Sequence, residues 1–248
     1  METEEQLSVA SYNVHGCVGR DRRRDPSRIA GIICEIAPDI IGLQEIYTRS
    51  RTREALRQLE YLADSTGLQA VHGPTLRRSA ADYGNGLLTS GKVIDIRHVD
   101  LSVRGVEPRA ALDADVEIRG NALRVIVTHL GLLGIERRVQ VKRLLAYLSD
   151  GMSRPTMVLG DLNEWLPGGR ALRRLQAHLG TIPTPRTFPA AFPLFRLDRI
   201  WVHPLEALVG VRVHDTPAAR AASDHLPILA RISHACSHKS AQSAGELV

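Results

Sequence analysis

The stretch Met157–Glu164, MVLGDLNE, joins three apolar residues to a glycine, an aspartate and an asparagine. The apolar residues read as a buried strand, and Gly160-Asp161-Leu162-Asn163 as its exit into a loop. Alternation along such an exit turns Asp161 and Asn163 to the same side, and Gly160 lets the backbone come close to a ligand. A carboxylate and a carboxamide aimed at one point can orient a water and hold a phosphoryl oxygen. Asp and Asn are also common turn formers, so this stretch alone leaves a plain turn open.

Similar β-branched runs lie on both sides: Leu7–Tyr12, Ile40–Leu43, Val93–Val99, Ala110–Ile118, Leu123–Thr128, Asp198–Val202, Val209–Val213 and Leu226–Ile232. Between them, Ile29, Ile32, Ile33 and Ile36 repeat at helical spacing, as do Val141, Leu144, Leu145 and Leu148. Weaker stripes run through Leu56, Leu59 and Leu62 and through Leu172, Leu175 and Leu179. Asp25 and Pro26 mark the start of the first helix, and Pro38 closes it. From about Tyr83 to Thr128 helical pattern is nearly absent, as in an antiparallel meander. A regular βαβα repeat is missing, so the expected fold is α/β with two packed mixed sheets and helices outside them.

With 248 residues, 44% of them hydrophobic, the chain suits one large domain better than two small ones. Residues 1–233 are expected to form it, and the small, polar stretch 234–248 to be a disordered tail. The net charge of +5 can favour anionic partners, although nearly all of it is arginine, which composition bias would also produce. Cys17, Cys34 and Cys236 have no disulfide-framework or zinc spacing, and Met1–Gln6 lacks signal-peptide chemistry. A cytoplasmic location is therefore expected, with no transmembrane segment.

Further polar groups stand at the ends of apolar runs. Ser223-Asp224-His225 precedes one strand, and Asn13 follows another. Glu45 ends the run Ile40–Leu43, where an unpaired buried carboxylate would cost several kcal/mol, roughly, so a metal or other cation should sit beside it. His129 ends a strand and Asp198 begins one.

Taken in order, Ser11-Tyr12-Asn13, Leu43-Gln44-Glu45, Gly84-Asn85-Gly86, Thr128-His129, Gly160-Asp161-Leu162-Asn163, Leu197-Asp198-Arg199 and Ser223-Asp224-His225 resemble the endonuclease/exonuclease/phosphatase superfamily. The likeness spans nearly the whole chain and is nearest to its compact bacterial metal-dependent hydrolases. It implies a four-layered α/β sandwich of the DNase I-like type. It also implies a catalytic domain over residues 1–233, in which Glu45 is the principal metal ligand and Asn13 and Asp224 bind the metal directly or through water. By the same resemblance Asp161 orients or deprotonates the attacking water, Asn163 holds a phosphate oxygen, and His225 contacts the phosphoryl group while Asp198 fixes its tautomer. His129 would stabilise the phosphate or assist the leaving oxygen, and Arg109 would bind phosphate oxygens. His15 stands where some members carry an acid.

The implied activity is divalent-metal-dependent hydrolysis of phosphate esters, most of all phosphodiesters, with Mg2+ as cofactor and Mn2+ as a substitute. Non-specific nuclease and phosphomonoesterase action are the alternatives within the family, and a catalytically silent phosphate- or lipid-binding module is the alternative outside it. Nucleic acid, a phospholipid headgroup and a small phosphoester are all open as substrates. Trp165 and the Phe188, Phe192 and Phe195 loop read either as a substrate rim or as a cap on the core; Trp201, inside a strand, reads as core.

Overall fold

A computed structural model describes residues 6–50, 57–77, 81–149 and 154–233. The expected tail and Leu56 lie outside the described residues. The first sheet takes β1 (Gln6–Asn13), β2 (Ile40–Ser50), β3 (Gln69–Arg77), β4 (Ala81–Thr89), β10 (Leu208–Val213) and β11 (Ile228–Ser233), in the order β10-β11-β1-β2-β4-β3. The second takes β5 (Lys92–Asp100), β6 (Ala110–Ile118), β7 (Asn121–His129), β8 (Thr156–Asp161) and β9 (Asp198–His203), in chain order. Both sheets are mixed: β1 and β2 run parallel, as do β7 and β8, and the other neighbours are antiparallel.

Inward-facing residues interdigitate between the sheets. Val9, Ile40, Val71 and Leu87 from one meet Leu112, Val125, Val127, Leu159 and Ile200 from the other. Each fully buried Val, Leu or Ile contributes about 1.5–3 kcal/mol, far more than a surface ion pair, so this layer holds the sandwich together. On the outer side of the first sheet pack α1 (Pro26–Ile36), α2 (Gln58–Thr66) and the short α5 (Pro217–Ala222). On the outer side of the second pack α3 (Gly134–Ser149) and α4 (Arg170–Leu179). The result is the four-layered α/β sandwich, helices–sheet–sheet–helices.

Local chemistry explains the elements that were legible. The Asp25 side chain accepts from the Ser27 amide at 3.0 Å, Pro26 opens α1, and Ala37 closes it with φ of 46°. Ile29, Ile32, Ile33 and Ile36 form its buried face.

Three features differ from the expectation. Strand β3 was not anticipated because Gly73 and Pro74 interrupt its pattern; at the sheet edge a proline is tolerated. The meander from Tyr83 is divided, since β4 belongs to the first sheet and only β5–β7 form consecutive antiparallel pairs in the second. Finally, β2 does not end at Glu45 but continues to Ser50, its pairing with β4 shifting between Leu43 and Ile46.

Candidate active site

The two parallel pairs point their C-terminal ends the same way, and this gathers the polar residues at one end of the sandwich. In the second sheet His129 pairs with Asp161 and Asp161 with Asp198, so three site residues form one row across β7, β8 and β9. From the first sheet come Asn13, at the end of β1, and Glu45, in the bulge of β2. Glu45 has a φ of 57°, and the bulge re-aims its side chain toward the row. Asp224 and His225 sit in the loop before β11.

Asp161 and Asn163 do face one point, for a different reason from alternation along a strand. β8 ends at Asp161, whose Oδ1 accepts from the Asn163 amide at 2.8 Å, and Asn163 adopts a φ of 48°, which its side chain tolerates. Gly160 likewise makes room for protein rather than ligand. A Cβ there would lie 1.8 Å from the Thr128 carbonyl oxygen, and φ is 145°.

Glu45, His129, Asp161, Asn163, Asp224 and His225 line a cleft of about 320 Å³ together with His15, Tyr83, Arg109, Trp165 and Phe188, while Asn13 and Asp198 are buried behind its wall. Asn13 Nδ2 donates at 3.0 Å to both Glu45 Oε1 and Asp161 Oδ2, tying the sheets together, while its Oδ1 accepts from the His15 amide at 3.1 Å. Asn13 thus presents its NH2 group, not its oxygen, to the carboxylates. The Ser223 hydroxyl donates to the Asn13 carbonyl at 2.8 Å and holds the loop carrying Asp224 and His225 against β1.

Two histidines flank Asp161, each with Nε2 3.5 Å from Oδ2. Their environments differ. Burial alone would lower the His225 pKa, but the Asp198 and Asp161 carboxylates outweigh it and push it up to about 10; Nδ1 lies 2.9 Å from Asp198 Oδ2. Burial holds His129 below the ordinary imidazole range, with Asp161 opposing and nearby Arg109 adding to the effect. Asn163 Nδ2 donates to the Leu130 carbonyl and to His129 Nε2, each at 2.9 Å, which assigns that nitrogen as the acceptor of a neutral ring. One ring is therefore a cation and the other neutral at pH 7, the separation that acid–base chemistry uses. Arg109 Nη1 lies 3.4 Å from His129 Nδ1 and 3.1 Å from Glu107.

Glu45 is the residue best prepared for a cation. Burial opposes its ionisation, yet the hydrogen-bonded His15 and the Asn13 amide hold its carboxyl well below the usual range. His15 Nδ1 is 3.5 Å from Glu45 Oε2 and 3.6 Å from Asp224 Oδ2, so the two carboxylates converge on a single point. Asp161, Asp198 and His225 also offer three possible ligand atoms within 4.8 Å of one another. The Nδ1 contact to Asp198 places a proton in that space, and a hard divalent cation suits the oxygens of Glu45 and Asp224 better.

Two contributors, Tyr83 and Thr187, had no sequence signal. Tyr83 donates to Glu45 Oε2 at 3.2 Å, Thr187 donates its hydroxyl to Asp198 Oδ2, and the Phe188 ring lies 4.8 Å from that of His225. Nothing in the neighbours of Tyr83 or Thr187 marks them, because their partners are distant in the chain. The aromatic loop is rim rather than core: Phe192 is 70% exposed, and Trp165, 38% exposed, meets Phe188 and Phe195 edge-on with centroids 5.5 and 4.9 Å away. Trp201 is buried in the core.

A sandwich with this row of acids, amides and histidines at one end matches the description "Endonuclease/Exonuclease/phosphatase family" over residues 10–225, and the chain belongs to that family. Its members are phosphoesterases, generally hydrolytic and typically dependent on a divalent metal. The chain is 29% identical over 245 residues to the uncharacterized Escherichia coli (strain K12) protein YbhP, covering 91% of this chain and 96% of that one. Among solved structures it resembles a family member from Bacteroides vulgatus, with 17% identity, a TM-score of 0.75, and coverage of 92% and 99%. It also resembles a Bacteroides thetaiotaomicron mannosyl-6-phosphatase, with 19% identity, a TM-score of 0.69, and coverage of 90% and 98%. No helix among the described residues is long and apolar enough to cross a membrane.

Proposed function

We propose that this chain is a divalent-metal-dependent phosphodiesterase, with residues 1–233 as its catalytic domain, Mg2+ as the cofactor and Mn2+ as a substitute. The observation that carries the reading is the chain Asp198–His225–Asp161 facing the ionised Glu45 across one cleft. The diester preference rests on that cleft being open toward an aromatic rim, which leaves room for a group on each side of the phosphorus.

In this reading Glu45 and Asp224 hold the metal, and Asn13 fixes the angle between Glu45 and Asp161. When bound, the cation would supply charge neutralisation at the phosphoryl group and make water easier to deprotonate. Asp161 accepts a hydrogen bond from the attacking water and takes its proton. Arg109 holds phosphoryl oxygens, since an arginine fork can bracket two of them, and Asn163 joins it by turning the amide hydrogen it gives to His129 toward the phosphate. His225, kept protonated by Asp198, donates Nε2–H to a third oxygen as charge builds there. His129, neutral and beside Arg109, stands next to the departing oxygen.

The test is hydrolysis of bis-p-nitrophenyl phosphate by the purified full chain with Mg2+ or Mn2+. Turnover that EDTA abolishes and added metal restores is expected. A folded protein that turns over neither this ester nor nucleic acid nor phospholipid would sink the proposal.

A further inference from the structure

A second cavity, of about 550 Å³, lies on the other side of Trp165 from the catalytic cleft, between α4 and the segments around Ile182 and Phe195. Trp165 lines both cavities, Phe188 lines the first and Phe195 the second. The two phenylalanines belong to a backbone-bonded pair, with the Phe195 amide donating to the Phe188 carbonyl at 2.7 Å and the reverse bond at 3.2 Å. The aromatic wall is therefore a fixed partition between two spaces.

The second space is cationic. Arg186, Arg196 and Arg199 line it, against a single carboxylate, Glu164. That carboxylate is already neutralised by Arg137, at 3.3 Å. Among the described residues none of the three arginines forms an ion pair with a carboxylate, and Arg199 is only 4% exposed, its Nη1 donating to the Arg196 and Leu197 carbonyls. Burial lowers the Arg199 pKa to about 10, still cationic at pH 7. The Asp198, Glu164 and Asp161 carboxylates offset only part of that burial, so an anion in the cavity would stabilise the guanidinium further.

We infer that this cavity is a subsite for a second phosphate group on the substrate, whose scissile phosphate lies in the catalytic cleft and whose intervening portion crosses the Trp165 and Phe195 edges. The inference rests on the hydrolase reading and narrows its substrate to phosphodiesters that carry a further phosphate.

Two measurements test it. The first needs no turnover: Trp165 faces the cavity while the other tryptophan, Trp201, is buried, so emission can follow titration with inorganic phosphate in metal-free buffer. The expected result is a binding phase absent in Trp165→Phe, weakened at least about tenfold in Arg186→Ala/Arg196→Ala, and retained in Arg109→Ala. Both substituted arginines of the double variant are exposed, so it should fold as the parent does. The second compares thymidine 5′-(p-nitrophenyl phosphate) with its 3′-phosphorylated counterpart. The wild type should favour the bisphosphate about tenfold in kcat/KM, through KM, and the double variant should lose that preference while keeping its rate on the simpler ester.

Equal kcat/KM for the two esters, or a phosphate phase unchanged in the double variant, would overturn the subsite. Arginine-dependent phosphate binding without turnover of either ester would support the anion site and count against the hydrolase reading instead.

Discussion

The second sheet carries two polar clusters that resemble each other in composition and differ in closure. At the C-terminal ends of β7 and β8, His129 and Asp161 line a cleft together with His225, Glu45 and Asp224 from the first sheet, and Asp198 stands buried behind His225. On its helix-covered face, Asp113 and Asp115 of β6 meet Arg97 of β5, Arg124 of β7 and Arg154. Asp113 accepts from Arg97 at 3.1 Å, from Arg124 at 2.9 Å and from the Tyr147 hydroxyl at 2.6 Å; Asp115 accepts from Arg97 at 2.8 Å and Arg154 at 2.7 Å. With Asp95 this second cluster has three acids and three arginines, and every carboxylate is matched. At the cleft, by contrast, Asp198 Oδ1 and Arg109 Nε are buried with no hydrogen-bond partner among the described residues, and Glu45, Asp161 and Asp224 line solvent-accessible space. Two clusters of similar chemistry thus divide into one that closes on itself and one that leaves capacity for substrate and cation.

Exchanging a carboxylate in each should separate the two most widely. Asp161→Asn keeps the shape of the cleft while removing the proton acceptor, and we expect kcat to fall by about 10²–10⁴ with Tm nearly unchanged. Asp113→Ala should do the opposite. It removes the carboxylate to which the buried Arg124 is bonded, and we expect about 3–5 kcal/mol of lost stability in denaturant unfolding, with kcat preserved in the protein that remains folded. If Asp161→Asn unfolds the chain and Asp113→Ala abolishes only activity, the division drawn here is wrong.

A smaller effect is expected at Asp198, which acts through His225 and is a positioning residue. Asp198→Asn leaves the Nδ1 contact without its charge and should lower kcat by about 10–100-fold. It should also move the alkaline limb of the pH–rate profile to lower pH, because the carboxylates that hold His225 protonated up to about 10 are then reduced to Asp161 and the more distant Asp224. An unmoved limb would separate His225 protonation from the rate.

How much of this was legible in the sequence follows the same division. Asp161, Asp198 and His129 stand at strand ends, where an apolar run meeting a polar residue is visible locally, and the ordered motifs carried the family likeness. The bulge that aims Glu45 was not visible, because a positive φ at a glutamate is imposed by the pairing of β2 with β4. Asp113, Asp115 and Arg124 interrupt runs that otherwise read as plain strands, and only the packing of Tyr147 from α3 and the registry of β5–β7 show why charges belong there. The same holds for Tyr83 and Thr187: their partners are 38 and 11 residues away, beyond any local pattern.

The clusters should also part in the pH dependence of metal-free stability. Asp113 is held below the ordinary carboxylate range by Arg97, Arg124 and Tyr147 despite its burial. Its contribution is therefore fully present above the unfolded value of about 3.9 and lost as pH falls through the lower folded value. His225 has the opposite sign: its stabilisation is complete below the unfolded value of about 6.5 and is lost as pH rises toward the folded value of about 10. Denaturant midpoints should fall on the acid side in a way that Asp113→Asn removes, and on the alkaline side in a way that His225→Gln removes.

The smallest effect is expected where a contact looks tight and is exposed. Asp95 meets the same Arg97 guanidinium as Asp113 and Asp115, but its side chain is 55% exposed, whereas Asp113 is fully buried. Water solvates Asp95 nearly as well in the unfolded chain, and its removal leaves Arg97 bonded to two other carboxylates, so no charge is stranded. Asp95→Ala should therefore change stability by less than about 1 kcal/mol, and that difference should shrink further with added salt. Asp113→Ala, on the same arginine, should cost several times as much and respond weakly to salt, because its partners are screened by protein rather than by ions. Equal costs at Asp95 and Asp113 would mean that the arginine fork, not burial, sets the strength of the closed cluster.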